Sequence, residues 1–194
     1  GDRPAGVHVA SGAATIGGRP VAELAPAEAA QQRAVVRQHA DVAFPLTVQA
    51  CVGLGALVHG LTRRDEDALV DAALQTHGLT TMATRRWPTL SGGERQRVAL
   101  ARAEVQLAAM RRPPGRALLA DEPTAHMDLR AALDALAHLR RLAADGVAVL
   151  VVLHDLALAA RCADRLVLLG PPERCAWPGR AAGSISNALS GRPR

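Results

Sequence analysis

Hydrophobic and polar positions alternate between two regimes along the chain. Residues 7–24 read as short extended pieces broken by glycine pairs, with Val7, Val9, Thr15, Ile16 and Val21 around Gly17 and Gly18, and predict a small β region. A polar, alanine-rich stretch follows, and then the brief apolar strand Ala34-Val35-Val36, which runs out on Arg37-Gln38-His39. From Val48 to Arg86 the period becomes helical, with Leu69, Val70, Ala73, Leu74 and His77 on one face, and predicts a helical subdomain.

Strand and helix alternate in the second half. Ala117-Leu118-Leu119-Ala120 is an unbroken apolar run suited to a strand buried on both faces, and it stops at Asp121-Glu122-Pro123. Leu129, Leu133 and Leu136 stripe a helix that ends near Asp145-Gly146. Val147 to Leu153 reads as a second buried strand ending at His154, residues 155–164 as a helix, and Arg165 to Leu169 as a third strand. That order is βαβαβ, which implies an α/β fold with a parallel sheet and right-handed crossovers. Ligands bind such sheets at the carboxyl ends of the strands, where Asp121, Glu122 and His154 fall. Residues 171–194, rich in Pro, Gly and Arg, show no periodicity and read as a loop or disordered tail.

Composition narrows the choices. With 194 residues, 49% of them hydrophobic, the chain can bury a core. The formal charge of +5 would suit a polyanion, but the arginines are scattered and there are only Phe44, Trp87 and Trp177 on which bases could stack. Codon bias in a G/C-rich genome accounts for the Ala, Arg, Gly and Pro content better than a nucleic-acid partner does. Cys51, Cys162 and Cys175 have no CxxC spacing and suit a reducing cytosol. No apolar run approaches the length of a membrane span, and the start Gly1-Asp2-Arg3-Pro4 has no signal-peptide core.

The most informative stretch is Leu90-Ser91-Gly92-Gly93-Glu94-Arg95-Gln96. Ser91 and Glu94 have the spacing of a capping box opening a helix through Val98, Ala101 and Val105. Two residues without a Cβ at a helix N-terminus also let bare N–H groups and the positive dipole end approach a phosphate.

This heptapeptide resembles the signature motif of the ATP-binding cassette (ABC) ATPases, and other positions match that family in order. Gln38 resembles the Q-loop glutamine, Leu118 to Glu122 the Walker B strand, Ala125-His126-Met127-Asp128 the D-loop, and His154 the switch histidine. The resemblance implies ATP and Mg²⁺ as cofactors, with Asp121 and Gln38 serving the metal. Glu122 would be the base that deprotonates water, aided by Gln38, and His154 would position the γ-phosphate and that water. It implies a head-to-tail pair of cassettes in which Ser91, Gly92, Gly93, Glu94 and Gln96 serve ATP held by the partner, and Asp128 links the two sites.

The match covers roughly residues 7–170 as a partial P-loop NTPase-like core, with a β region and Q-loop over 7–40, a helical subdomain over 48–90 and the signature, Walker B and switch region over 91–170. All 23 residues of the Lys+Arg count are arginine, so no G-x-x-x-x-G-K-[ST] loop lies in these residues and the cassette is expected to be N-terminally incomplete.

The stretch between Gln38 and Leu90 is too short for the long coiled coil of chromosome-associated relatives, which leaves a transport ATPase. Arg33 to His39, Ala43 to Val48 and Leu153 to Arg161 are similar to the hemin-importer branch. That branch implies permease subunits and, indirectly, a periplasmic heme-binding protein as partners, no nucleic acid, and a place at the cytoplasmic face of the bacterial inner membrane. A cassette lending its signature motif to a partner's ATP site is the alternative.

Overall fold

The computed structural model describes residues 14–38, 44–110, 115–168 and 184–186. Val7, Val9 and His39 of the sequence expectations lie outside them. Thr15–Ile16 (β1) and Arg19–Pro20 (β2) form an antiparallel hairpin across Gly17 and Gly18, both at positive φ, as the glycine pair demands. The alanine-rich stretch contains a short helix, Pro26–Ala30 (α1).

Arg33–Val36 (β3), Ala117–Asp121 (β4) and Ala148–Val152 (β5) form a three-stranded parallel sheet in that order. The helical elements Val48–Gly53 (α2), Arg63–Thr76 (α3) and Gly92–Ala109 (α4) lie between β3 and β4, and Leu129–Ala144 (α5) between β4 and β5.

Helix α4 is the spine of the molecule. Val98, Ala101 and Val105 pack into an apolar cluster with Val48, Val52, Val70, Leu74, Leu79 and Trp87 of the helical subdomain. Ala99, Leu100, Ala103 and Leu107 pack into a second cluster with Ala34 and Val36 of β3, Leu118 and Ala120 of β4, and Leu136 and Leu139 of α5. A helix apolar on both sides is one buried between two layers. Its position along β3 is pinned by Gln106, whose Nε2 donates to Ala30 O at 2.8 Å and Arg33 O at 3.1 Å.

Three expectations are corrected. First, the strands are buried on one face rather than two. Ala34, Val36, Leu118 and Ala120 point into the core, whereas Val35 is 36% exposed, Leu150 63% and Val152 49%. An apolar run shows that double burial is possible, not that a layer covers each face. For the same reason Leu129, 65% exposed, leaves the buried stripe of α5 to Ala132, Leu136, His138 and Leu139.

Second, Arg165–Val167 (β6), which follows Leu156–Cys162 (α6), does not extend the parallel sheet. It pairs antiparallel with Ser184–Ser186 (β7), and the exposure of Arg165 and Val167 on either side of Leu166 fits such a one-sided ribbon. Third, β7 itself lies in the stretch expected to be a tail without structure.

Candidate functional site

The register aligns Val36 with Ala120 and Asp121 with Val152, so the carboxyl ends of the three parallel strands lie close to level. Gln38, two residues beyond β3, is exposed there, as is Asp121, the last residue of β4. Sequence reasoning placed Asp121 on this edge and Gln38 just after a short strand, and the sheet brings the two strands side by side.

Glu122 departs from the strand. Its φ of +49 and that of His126, +62, are the only positive values among the described non-glycine residues. The left-handed conformation costs an L-residue roughly 1–2 kcal/mol, so surrounding contacts must hold it. Three hydrogen bonds do so: Glu122 N–H donates to Val152 O at 3.1 Å, and its carbonyl accepts from Ala125 N–H at 3.0 Å and from Gln96 Nε2 at 3.2 Å. The Glu122 side chain is buried, yet its Oε1 has no hydrogen-bond partner among the described residues. His154 Nε2, on a side chain 85% exposed, stands 3.3 Å away, out of line for its N–H to reach that oxygen. A buried carboxylate oxygen lacking a donor is a place where a polarised water would be held.

The signature residues divide by task. Ser91 caps α4, its Oγ accepting from Glu94 N–H at 3.3 Å while Glu94 Oε2 accepts from Ser91 N–H at 2.7 Å, so the expected capping box is present. Glu94 Oε1 also accepts from Arg85 at 2.9 Å. Both its oxygens are therefore engaged within the chain. Gln96 is buried and acts on the Glu122 carbonyl, a link that its place in the motif, between Arg95 and Arg97, did not reveal. Asp128 caps α5, with Oδ1 accepting from Ala131 N–H at 2.8 Å.

Gly92 and Gly93 are required by the turn that follows β4. A Cβ at Gly92 would lie 2.8 Å from His126 Cβ, and one at Gly93 would lie 2.8 Å from His126 O. The missing Cβ atoms thus let the D-loop-like turn approach the N-terminus of α4, which sequence reasoning had assigned to phosphate alone.

Glu94 gives the cap a pH dependence. The hydrogen bond from Ser91 N–H, outweighing the opposing effect of burial, holds its carboxyl below the usual range, with Ser91 Oγ and Arg85 adding to the shift. A carboxyl lowered on folding stabilises fully above its unfolded value and loses that contribution as pH falls through the folded one. Ser91→Ala should cost about 1 kcal/mol at neutral pH. In urea denaturation, Glu94→Gln should flatten the fall in stability below about pH 5 relative to the parent; equal slopes would show that the cap does not titrate.

The donor types fit a nucleotide-bound Mg²⁺. Asp121 offers a carboxylate and Gln38 an amide oxygen, the hard ligands such an ion takes, and the orphaned Glu122 oxygen faces the same edge.

Comparisons with known proteins give the family. The family model described as "ABC transporter" matches residues 5–125. The hemin import ATP-binding protein of Rhodopseudomonas palustris (strain BisB18) is 44% identical over 180 residues, which are 92% of this chain and 65% of that protein. That of Bradyrhizobium diazoefficiens is 47% identical over 152 residues, 78% of this chain and 56% of that one. That of Pseudomonas putida (strain KT2440) is 43% identical over 158 residues, with 81% and 61% covered. The chain therefore spans less than two thirds of the length of these relatives.

A solved ATP-binding subunit of an ABC transporter superposes with a TM-score of 0.69 at 25% identity, over 82% of this chain and 63% of that one. An inward-facing ABC transporter of metal-chelate type superposes at 0.64 over 80% of this chain and 59% of that one, and at 23% identity it speaks for the fold alone.

Proposed function

This chain belongs to the ABC transporter family, and we propose that it is the ATP-hydrolysing subunit that drives hemin import. The single observation that carries the hydrolytic part is the buried, unpartnered Glu122 oxygen beside His154 at the carboxyl edge of the sheet. The relatives named for hemin import support the cargo. The same reading supplies the partners: permease subunits and a periplasmic heme-binding protein, with the cassette at the cytoplasmic face of the inner membrane. Among the described residues no helix is long and apolar enough to cross a membrane, so a membrane position would come through the permease.

In this reading Glu122 Oε1 accepts the proton of the attacking water, and burial without a competing donor leaves that oxygen free to do so. His154 orients the water and the γ-phosphate from the exposed side. Asp121 and Gln38 would hold Mg²⁺ by their oxygen donors. Mg²⁺ supplies charge neutralisation on the phosphates when bound. Gln96 serves the site by holding the Glu122 backbone. Ser91, Gly92 and Gly93 present the N-terminus of α4 to the γ-phosphate bound by a second cassette. Glu94 keeps that terminus in shape, and Asp128 connects the two sites.

The second reading has its own observation. Ser91, Gly92 and Gly93 open α4 at its N-terminus, and a chain acting as signature donor would lend these residues to ATP held by a partner.

One experiment separates the two. In the assembled transporter, Ser91→Arg removes the signature in trans and Glu122→Gln removes the base in cis. For a hydrolytic homodimer, each variant alone should be inactive. An equimolar mixture should recover roughly a quarter of the parent's turnover, because half the dimers are mixed and each has one intact site of two. For a signature donor, Ser91→Arg should abolish phosphate release while Glu122→Gln leaves it near the parent's rate.

A further inference from the structure

We propose that His77, Glu104 and His138 form a binding site for a divalent first-row transition-metal ion of the zinc and iron(II) class. The three side chains come from separate elements: His77 ends α3, Glu104 lies on α4 and His138 on α5. Glu104 Oε2 is 2.7 Å from His77 Nε2 and 2.9 Å from His138 Nε2, and the donor atoms of the three residues all lie within 4.8 Å of one another. The two imidazoles meet edge to face with centroids 4.8 Å apart. The side chains are 7%, 23% and 11% exposed in chain order.

A second observation points to a ligand. His138 is buried, and among the described residues its Nε2, 2.9 Å from Glu104 Oε2, makes no well-aligned hydrogen bond. A common ion between the donors would answer that nitrogen without requiring it to aim at oxygen. Metal–ligand bonds of about 2.0–2.2 Å would need the two nitrogen–oxygen separations to widen by roughly half an ångström. Rotation of the Glu104 carboxylate would widen those two separations, and the two imidazole nitrogens would close in on the ion from within the 4.8 Å spread of the donor atoms.

The donor set selects the class of ion. Two imidazoles with one carboxylate suit zinc, iron(II) or cobalt(II), whereas Mg²⁺ and Ca²⁺ prefer all-oxygen shells, and no thiolate is present to favour copper(I). Arg141 Nη2 stands 3.4 Å from His138 Nδ1. An imidazole ligating through Nε2 carries its proton on Nδ1, so this exposed guanidinium must turn outward on loading. The ion would join α3 of the helical subdomain to α5 of the sheet layer through α4, at the seam between the two apolar clusters. It is separate from the strand-edge residues Asp121, Glu122 and His154.

The test uses the tag-free, nucleotide-free protein after chelator treatment, titrated with Co²⁺ alone and then displaced with Zn²⁺. One Co²⁺ per chain with strong visible ligand-field absorption is expected, and saturating Zn²⁺ should raise the thermal midpoint by several degrees. His77→Gln and His138→Gln should each weaken binding by about 100-fold or more. His59→Gln should leave it unchanged. His77, at the end of its helix, offers a variant that keeps the fold if His138→Gln does not; circular dichroism decides which is read. Binding that persists in the His77→Gln variant, or binding lost in His59→Gln, would overturn the assignment. So would an absence of Co²⁺ binding to the parent at 100-fold excess over protein.

Discussion

Glu122→Gln should lower steady-state phosphate release in the assembled transporter by about 10²- to 10⁴-fold while leaving ATP binding near the parent's affinity. The amide keeps the size and the backbone of the carboxylate. The left-handed turn at Glu122 rests on main-chain contacts, from Val152 O, Ala125 N–H and the Gln96 amide, none of which involves the side chain being changed. What changes is the buried oxygen, which no longer accepts a proton. The expected signature is thus a fall in kcat with the nucleotide dissociation constant preserved, read by phosphate release alongside equilibrium binding of a fluorescent nucleotide. A parallel loss of binding would mean that the carboxylate holds the fold or the metal rather than the water. An unaltered rate would favour the signature-donor reading.

What the sequence made legible here follows from range. The capping box joins Ser91 to a residue three positions on, so a local pattern contains the whole interaction. The strand β4 and its acidic end were legible because four apolar residues followed by Asp-Glu specify both the element and its terminus.

Pairings across the chain were not legible. Gln96 reaches Glu122 over 26 positions, and Glu104 meets His77 over 27. His126 meets Gly92 only after β4 has been laid beside β3 under α4. The partner of β6 was missed because its three residues specify a strand without specifying what pairs with it. The family resemblance supplied an order of motifs, and hence the proposed catalytic edge, but not Gln96's hold on the Glu122 backbone or the packing that makes Gly92 and Gly93 necessary.

Gly55→Ala should destabilise the protein by about 3 kcal/mol, at the upper end of overpacking costs, and lower the thermal midpoint by roughly 10 °C. Gly55 lies in the 3₁₀ turn Leu54–Ala56, which follows α2 and packs directly on α4. A Cβ there would fall 2.3 Å from Arg102 O, 2.9 Å from Gln106 N and 3.1 Å from Val105 Cβ. Two of these are backbone atoms inside the helix, so no side-chain rotation relieves the overlap. Either the turn or α4 must move.

Movement of α4 would strain the Gln106 bonds to Ala30 O and Arg33 O, which fix the helix against the entrance of β3. Because Gln96 and Ser91 ride on the same helix, the displacement should also disturb the Glu122 turn and lower turnover. Gly53→Ala, two residues earlier, is the matched control. Its Cβ would meet only Glu66 Oε1 at 3.5 Å and Val70 Cγ2 at 3.8 Å, ordinary contacts, and alanine's better helix propensity should make the change neutral or slightly stabilising. Thermal denaturation of the two variants beside the parent provides the comparison. Equal midpoints would mean that the turn and α4 are not in close contact, and that the helical subdomain is free to shift against the signature helix.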